Sequence, residues 1–142
     1  MKGKTLATAE SCTGGGIGAA ITAVSGSSAV YKGGIISYQN EVKRDLLGVS
    51  ESDLENLGPV SGPVAEQMAK GARKALQSDA AVSVTGLAGP GGDTFGNPVG
   101  TVYIGYADEK EAFSRRFSLC GNREDIRNQA IESALQIILE KN

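Results

Sequence analysis

The spacing of apolar positions predicts a chain in which strands and helices alternate. Runs of small, β-branched or aromatic residues predict strands over 5–10, 30–38, 80–85, 99–107 and 112–119. Apolar residues three or four positions apart predict helices over 14–24, 40–47, 63–77 and 123–140, with a further short helix over 51–57. Apart from that short helix the order is β-α-β-α-α-β-β-β-α. It predicts a layered α/β fold whose late hairpin makes the sheet mixed.

Residues that favour helix ends define three of these boundaries. Asn40 is the expected N-cap of the second helix, and Gly48 is expected to end it. Ser61 is the expected N-cap of the helix over 63–77, which carries Val64 and Met68 on its apolar face. The final helix is expected to bury one apolar stripe, formed by Ile126, Ala130, Ala134 and Ile137.

Length and composition indicate one folded domain over 1–142. The 142 residues are 40% hydrophobic and 21% charged, which is ordinary for a globular protein and argues against disorder. The net charge of −2 implies no basic face for nucleic acid. No apolar run approaches the roughly 20 residues of a membrane span. We therefore expect a cytoplasmic protein that has neither nucleic acid nor a membrane as a partner.

The sequence contains no histidine. Its absence excludes Ser-His-Asp and Cys-His catalysis and removes the commonest metal ligand. Cys12 and Cys120 are too few and too far apart for a disulfide framework or a zinc site. We expect neither a metal nor a cofactor. A nucleophile in this chain must then be activated by a lysine, a tyrosine or a carboxylate.

The stretch "TAESCTGGGIGAA" places polar residues and glycines between the first strand and the first helix. Gly14, Gly16 and Ala19 fit a dinucleotide-binding fingerprint, but no acidic residue follows at the usual distance. Ser11 at a strand-to-helix turn would lie beside free backbone N–H groups, which suit a nucleophile and its oxyanion. Alternatively, Ser11 or Thr13 is only an N-cap. The residues themselves leave these last two interpretations open.

Lys43 is the candidate base for Ser11. An ordinary lysine pKa is near 10.4, and lowering it by about 3 units costs roughly 4 kcal/mol. The helix dipole supplies about 0.3–1 kcal/mol, so burial must supply the remainder. The alternative is a solvated surface lysine. Tyr38, at the end of the second strand, either relays a proton or fills the core.

Two later segments offer ligand contacts. The stretch 86–100 is long for a loop in a compact domain and follows a strand, where ligands bind in α/β folds. Asp93 and Thr94 are its polar members, and Arg123 near the start of the last helix suits a phosphate or is only a surface charge. Ser25, Ser27 and Ser28 are rival nucleophiles with no helix N-terminus beside them. Cys12 is either reactive or a small buried residue.

Six segments together resemble the CinA C-terminal domain family. They are "AESCTGG", "GSSAVYKGGIISYQNEVKRDLLGV", "VSGPVAEQMAKGA", "VTGLAGPGG", "PVGTVYIG" and "GNREDIRNQA". Their order matches, and the resemblance covers about residue 5 to the end. It implies a three-layer α/β/α fold and the family's characterised activity, hydrolysis of the carboxamide of nicotinamide mononucleotide (NMN) to nicotinate mononucleotide and ammonia. It also implies a Ser-Lys type site without a metal.

The resemblance implies roles for individual residues. Ser11 becomes the nucleophile, Lys43 the base and Tyr38 its helper, with N–H groups around 13–15 holding the oxyanion. The expected oxyanion and substrate-binding positions are Cys12, Thr13, Gly14, Gly15, Thr85, Gly86, Gly89, Gly91 and Arg123. We expect NMN as the substrate and a homo-oligomer, a dimer or larger. The helix that family members carry ahead of the first strand is expected to be absent, as is the further domain of longer members.

Two other functions are weighed against this hypothesis. A non-catalytic nucleotide- or partner-binding module would keep the fold and bind without releasing ammonia. A hydrolase of a different small amide would depend on Ser11 but act little on NMN. The occurrence of Ser11, Tyr38 and Lys43 in family-like segments favours the NMN hydrolase.

Overall fold

The computed structural model describes residues 3–141, within which there are five strands and five α-helices. In chain order these are β1 Leu6–Glu10, α1 Gly16–Thr22, β2 Tyr31–Ile36, α2 Asn40–Leu47, α3 Glu51–Asn56, α4 Gly62–Leu76, β3 Ala80–Gly86, β4 Thr101–Ala107, β5 Ala112–Ser118 and α5 Arg123–Glu140. A single 3₁₀ turn, Ser27–Ala29, precedes β2. Every predicted strand and helix is present, including the short third helix. The predicted element order is therefore confirmed.

The five strands form one mixed sheet in the order β2-β1-β3-β4-β5. β1 runs parallel to both β2 and β3, whereas β3, β4 and β5 pair antiparallel. The mixed sheet predicted from the late hairpin is confirmed. Because β1, β2 and β3 are parallel, their carboxyl ends meet at one edge of the sheet, with the end of β1 between the other two.

Helices cover both faces of the sheet and give three layers. One buried cluster joins α1 and α5 to the sheet and includes Ile17, Val82 and Ile104. The other joins α2, α3 and α4 to the opposite face and includes Leu47 and Met68. The predicted apolar stripe of the last helix is buried as expected, at Ile126, Ala130, Ala134 and Ile137.

The helix ends follow the expected cap chemistry with one exception. Ser61 caps α4 by accepting a hydrogen bond from the Val64 N–H, and Gly48 ends α2 in the left-handed conformation with φ 69°. The prediction that Asn40 is the N-cap of α2 is wrong by one residue. Gln39 occupies that position with extended backbone angles, and its side chain makes no capping bond. Lys43 therefore lies one residue further inside the helix than expected.

The first helix is shorter than predicted. Gly15 has φ 103° and Gly14 has φ 59°, so the backbone turns through left-handed conformations before α1 begins at Gly16. At the other end α1 stops at Thr22, and Val24, the last residue of the predicted range, is exposed. The two glycines instead form a turn between β1 and α1.

No helix within residues 3–141 combines the length and apolar character that crossing a membrane requires. The expectation of a missing leading helix concerns the residues ahead of β1, of which residues 1 and 2 lie outside the described part of the chain.

Close contact between α2 and α4 depends on Gly71. A Cβ at this position would overlap the backbone carbonyl of Leu47, the last residue of α2. Because a backbone carbonyl cannot rotate aside as a side-chain end can, α2 would have to shift. Gly71 therefore sets the position of the helix that carries Lys43.

We predict that Gly71→Ala lowers the free energy of unfolding by about 1–3 kcal/mol, the usual cost of overpacking. Alanine alone would favour a helix by up to about 1 kcal/mol, so a loss would identify the contact as its cause. Chemical denaturation would measure it. Gly91→Ala is the control, because a Cβ there meets nothing within 4 Å. Equal stability of the Gly71 variant and the unaltered chain would contradict the prediction.

Candidate active site

The turn after β1 places Ser11 between two neighbouring strands. The Ser11 N–H donates to the Val84 carbonyl at 3.1 Å, and the Ser37 N–H donates to the Glu10 carbonyl at 2.7 Å. These bonds extend the parallel pairing past the ends of the strands. Ser11 is 7% exposed, and its own carbonyl accepts the Gly14 N–H at 3.1 Å. The serine is thus fixed by backbone bonds at the carboxyl edge of the sheet.

Lys43 approaches Ser11 from α2 and is buried. Its Nζ donates to Ser11 Oγ at 3.1 Å, to the Ser37 carbonyl at 2.6 Å and to the Tyr38 carbonyl at 3.2 Å. The residue is 1% exposed, so the alternative of a solvated surface lysine is wrong. Ser37 and Tyr38 can turn their carbonyls toward Nζ because β2 ends at Ile36, two residues earlier than predicted.

Burial lowers the pKa of Lys43 to about 8, whereas the nearby Cys12 thiol acts in the opposite direction. Within residues 3–141 no carboxylate lies within 4 Å of Nζ. Burial is the largest cause of the lowered pKa, and the expected burial of Lys43 is observed. A neutral amine at this place can donate two hydrogens to the two carbonyls and direct its lone pair at Ser11 Oγ. That arrangement suits a general base for a hydroxyl nucleophile.

A cavity of about 240 Å³ opens above this pair. Its walls are formed by the turn after β1, the turn after β2, α2, the segment before α4, the end of β3 with the loop that follows it, and the start of α5. The lining residues are Ser11, Cys12, Tyr38, Lys43, Pro59, Val60, Thr85, Gly86, Leu87, Ala88, Gly89, Gly91 and Arg123. Nine of these are residues that the sequence indicated.

Thr13, Gly14 and Gly15, which were also predicted here, do not line the cavity. Thr13 is completely buried, and its hydroxyl donates to Glu10 Oε1 at 2.6 Å. The Gly14 N–H is occupied by the Ser11 carbonyl. The prediction that Gly14 donates to an oxyanion is therefore corrected, because its N–H closes the turn instead.

Tyr38 differs from the expected proton relay. Its hydroxyl lies 3.4 Å from Arg123 Nη2, and its backbone carbonyl is the group that meets Lys43. The side chain is 61% exposed at the rim of the cavity. Arg123 also donates from Nη1 to the Gly89 carbonyl at 2.7 Å. Tyr38 and Arg123 thus bridge three elements at the cavity mouth.

The loop after β3 is held by its own polar groups. The Asp93 carboxylate accepts hydrogen bonds from the Phe95 and Asn97 N–H groups and from Asn97 Nδ2. Asn97 Nδ2 also donates to the Val60 carbonyl. Asp93 therefore shapes the loop rather than facing the cavity, and Thr94 does not line it either. Thr85 lines it with its hydroxyl engaged by the Pro59 carbonyl at 2.8 Å.

The other candidate nucleophiles are less suited. Burial raises the pKa of the Cys12 thiol to about 11, so Cys12 is protonated near neutral pH. Ser25, Ser27 and Ser28 do not line the cavity.

Sequence reasoning missed two charged residues beside the turn. Glu10 is 2% exposed and accepts the N–H groups of Ile17 and Gly18 at 2.7 and 3.0 Å. Its carboxylate thereby occupies the start of α1, which leaves no room for the pyrophosphate of a dinucleotide there. Arg127, from α5, donates to the Cys12 and Thr13 carbonyls. An acid directly before the turn signals Glu10, whereas nothing in the local sequence signals Arg127.

The lowered pKa of Lys43 predicts a pH-dependent stability. Between about pH 8 and the unfolded value near 10.4, the unfolded chain holds the extra proton, so stability rises with pH. We therefore compare the free energy of unfolding of the unaltered chain with that of Lys43→Met. We expect the difference between them to change by on the order of 2–3 kcal/mol in favour of the unaltered chain from pH 7 to pH 10. Denaturation across this range would measure it, with exposed Lys70→Met as the control. A difference that does not change with pH would contradict the prediction.

Comparisons with known proteins agree with the fold and the sequence motifs. The profile of the family described as CinA C-terminal domain matches residues 1–141. A CinA-like protein of Rippkaea orientalis is 50% identical over 144 residues, which cover 99% of this chain and 35% of that protein. This chain spans about a third of the length of the curated relatives it matches.

Solved structures are similar over nearly the whole chain. A CinA superfamily protein from Escherichia coli has a TM-score of 0.96 and 31% identity, and the match covers 99% of this chain and 81% of that one. A competence/damage inducible protein from Agrobacterium tumefaciens has a TM-score of 0.92 and 40% identity, with 97% and 85% covered. The family match and the shared fold together establish that this chain belongs to the CinA C-terminal domain family.

Proposed function

We propose that this chain hydrolyses the carboxamide of NMN, giving nicotinate mononucleotide and ammonia. The observation that carries the proposal is the buried contact of 3.1 Å between Lys43 Nζ and Ser11 Oγ. A lysine whose pKa is lowered to about 8 and whose other two partners are carbonyls can accept a proton from the serine. The choice of NMN rests on the resemblance to the family's characterised activity.

In the first half of the reaction Ser11 Oγ attacks the amide carbon. Lys43 accepts the hydroxyl proton, and the carbonyl oxygen becomes an oxyanion in a tetrahedral intermediate. As that intermediate collapses, the C–N bond breaks and Lys43 returns its proton to the departing nitrogen. Ammonia leaves, and the nicotinoyl group stays on Ser11 as an ester.

In the second half water attacks the ester carbonyl while Lys43 accepts a proton from it. The bond between the acyl carbon and Ser11 Oγ then breaks, and Lys43 returns the proton to the serine oxygen. Because one amine serves both halves, it must be neutral before each attack and protonated before each departure. A pKa near working pH meets both requirements.

The rest of the cavity supports binding of an anionic nucleotide. Arg123 at the rim is exposed and can form charge-assisted hydrogen bonds with a phosphate. Gly89 and Gly91, in the loop after β3, also line the cavity, and the absence of side chains there lets a ligand approach the backbone. A cation and an open loop therefore line the same cavity as the proposed nucleophile, which suits a nucleoside monophosphate.

We predict that Ser11→Ala and Lys43→Met each reduce ammonia release from NMN to background, because one removes the nucleophile and the other the base. A coupled ammonia assay on the purified chain would measure this. Ser27→Ala and Lys70→Met are matched controls outside the cavity and are expected to retain full activity.

Each other outcome selects a different function. NMN binding without ammonia release from the folded chain would favour the non-catalytic binding module. Ser11-dependent hydrolysis of another amide, with little activity on NMN, would favour a hydrolase of different specificity. Activity that survives Ser11→Ala would overturn the proposed mechanism.

We predict that kcat/KM rises with pH and reaches half its maximum near pH 8, because Lys43, with its pKa lowered to about 8, must be neutral to act as a base. Initial rates between pH 6.5 and about pH 9.5 at low NMN concentration would give the profile. A flat or falling profile over this range would contradict the assignment of Lys43 as the base.

A further inference from the structure

The turn that follows Ser11 is held from outside by Arg127. Its Nε donates to the Cys12 carbonyl at 3.0 Å and its Nη2 to the Thr13 carbonyl at 3.1 Å. Arg127 belongs to α5 and is 115 residues from Cys12 in sequence. The guanidinium is a rigid planar fork, so these two bonds fix the orientation of two successive peptide units.

Holding those carbonyls also orients N–H groups. A trans peptide is planar, so the Thr13 N–H points away from the Cys12 carbonyl and therefore away from Arg127. Within residues 3–141, neither the Cys12 N–H nor the Thr13 N–H donates to a carbonyl or side-chain oxygen, and the Cys12 N–H meets only the Cys12 thiol, a weak acceptor. Both residues are buried, and buried N–H groups are rarely left without an acceptor. The Gly14 N–H, in the second peptide that Arg127 holds, donates to the Ser11 carbonyl. This bond fixes the Ser11–Cys12 peptide, so the Cys12 N–H points away from the Ser11 carbonyl.

We propose that Arg127 is a positioning residue that keeps the Cys12 N–H ready to receive the oxyanion formed when Ser11 is acylated. Cys12 lines the cavity, so the oxyanion supplies the oxygen acceptor that its N–H lacks. Backbone donors fixed in advance stabilise developing charge most strongly because they need no reorganisation. The substrate in this inference rests on the proposed function, whereas the positioning itself concerns any acyl or phosphonyl group on Ser11.

Glu10 supports the same turn from the opposite side. Its carboxylate accepts hydrogen bonds from the Thr13 hydroxyl and from the first N–H groups of α1. These donors are therefore already used and are not available to a ligand in the cavity. Neither Glu10 nor Arg127 is a hydrogen-bond partner of Lys43 Nζ. Loss of Arg127 should therefore loosen the oxyanion donor without altering the hydrogen bonds of the base.

Arg127→Leu and Arg127→Lys test this inference. We expect kcat for NMN to fall about 100-fold in the leucine variant, in line with the loss of one oxyanion donor. The lysine variant should lose about 10-fold, because an ammonium replaces only part of the fork. KM should change less than about two-fold, and the pH midpoint near 8 should stay, because the contacts of Lys43 are intact. Arg115→Leu, whose arginine pairs with Glu140 at the surface, is the control.

A second readout does not depend on NMN. An alkyl fluorophosphonate would form a bond between phosphorus and Ser11 Oγ as fluoride leaves and Lys43 takes the proton, and mass spectrometry would follow the rate. We expect labelling of both Arg127 variants to slow in parallel with kcat, because the phosphonyl oxygen would accept a hydrogen bond from the same backbone N–H. Thermal unfolding would show whether each variant is folded, and Arg127→Lys supplies the comparison if the leucine variant is not.

The outcomes separate the two proposals. Slow labelling of the variants in a chain that does not hydrolyse NMN would overturn the proposed function and support the positioning role. Labelling and kcat equal to those of the unaltered chain in a folded Arg127 variant would overturn the positioning role. A raised KM with unchanged kcat would also overturn it, since Arg127 would then bind substrate. Absence of labelling at Ser11 in the unaltered chain would overturn both.

Discussion

Burial of the Lys43 amine without a carboxylate partner is the constraint on which the whole site depends. An ammonium removed from water must be paired or must lose its proton. Here its partners are two carbonyls and one hydroxyl, which hold the amine in place but carry no full negative charge. A nearby carboxylate would stabilise the charged form and raise the pKa again. Burial without a carboxylate partner destabilises the folded chain, and it is also the reason that the pKa of Lys43 is lowered to about 8.

The fold provides this burial through the ends of its parallel strands. β1 lies between β2 and β3, so the residue after β1 emerges where the neighbouring chains also leave the sheet. β2 ends two residues before Tyr38, which frees the carbonyls that Lys43 needs. The following helix must then lie close against α4, and Gly71 permits that approach. The strand order, the length of β2 and Gly71 therefore together determine where the Lys43 amine lies and how deeply it is buried.

Local chemistry explains how much of this could be predicted from the sequence. The long periodic segments gave the right elements, because α5 and α4 bury the apolar stripes that their spacing shows. Because the sequence contains no histidine, it predicts a base of another type, such as Lys43. The size of the required pKa change further predicts that Lys43 is buried. Cap positions were accurate where a side chain makes the bond, as at Ser61, and off by one at Gln39, which makes none.

What the sequence could not supply were contacts between distant segments. Arg127 meets the turn after β1 across 115 residues, and no spacing rule connects two such positions. The predicted relay by Tyr38 rested on its residue type, yet the group that reaches Lys43 is a backbone carbonyl, which every residue carries. For the same reason Thr13 and Gly14 could not be told apart, since only the turn geometry decides which N–H groups are already used.

The proposed hydrolysis of a nucleotide amide would require the site to accommodate two negative charges, one on the phosphate and one on the oxyanion. The start of α1, the obvious place for an anion, is already satisfied by Glu10. In the proposed reaction the Cys12 N–H would meet the charge that appears on the reacting carbonyl, while Arg123 lies at the cavity mouth beside Tyr38. An oxyanion hole that a phosphate could fill would favour binding over turnover. Under the proposed function, occupation of the helix start by Glu10 would keep the phosphate from competing with the reacting carbonyl.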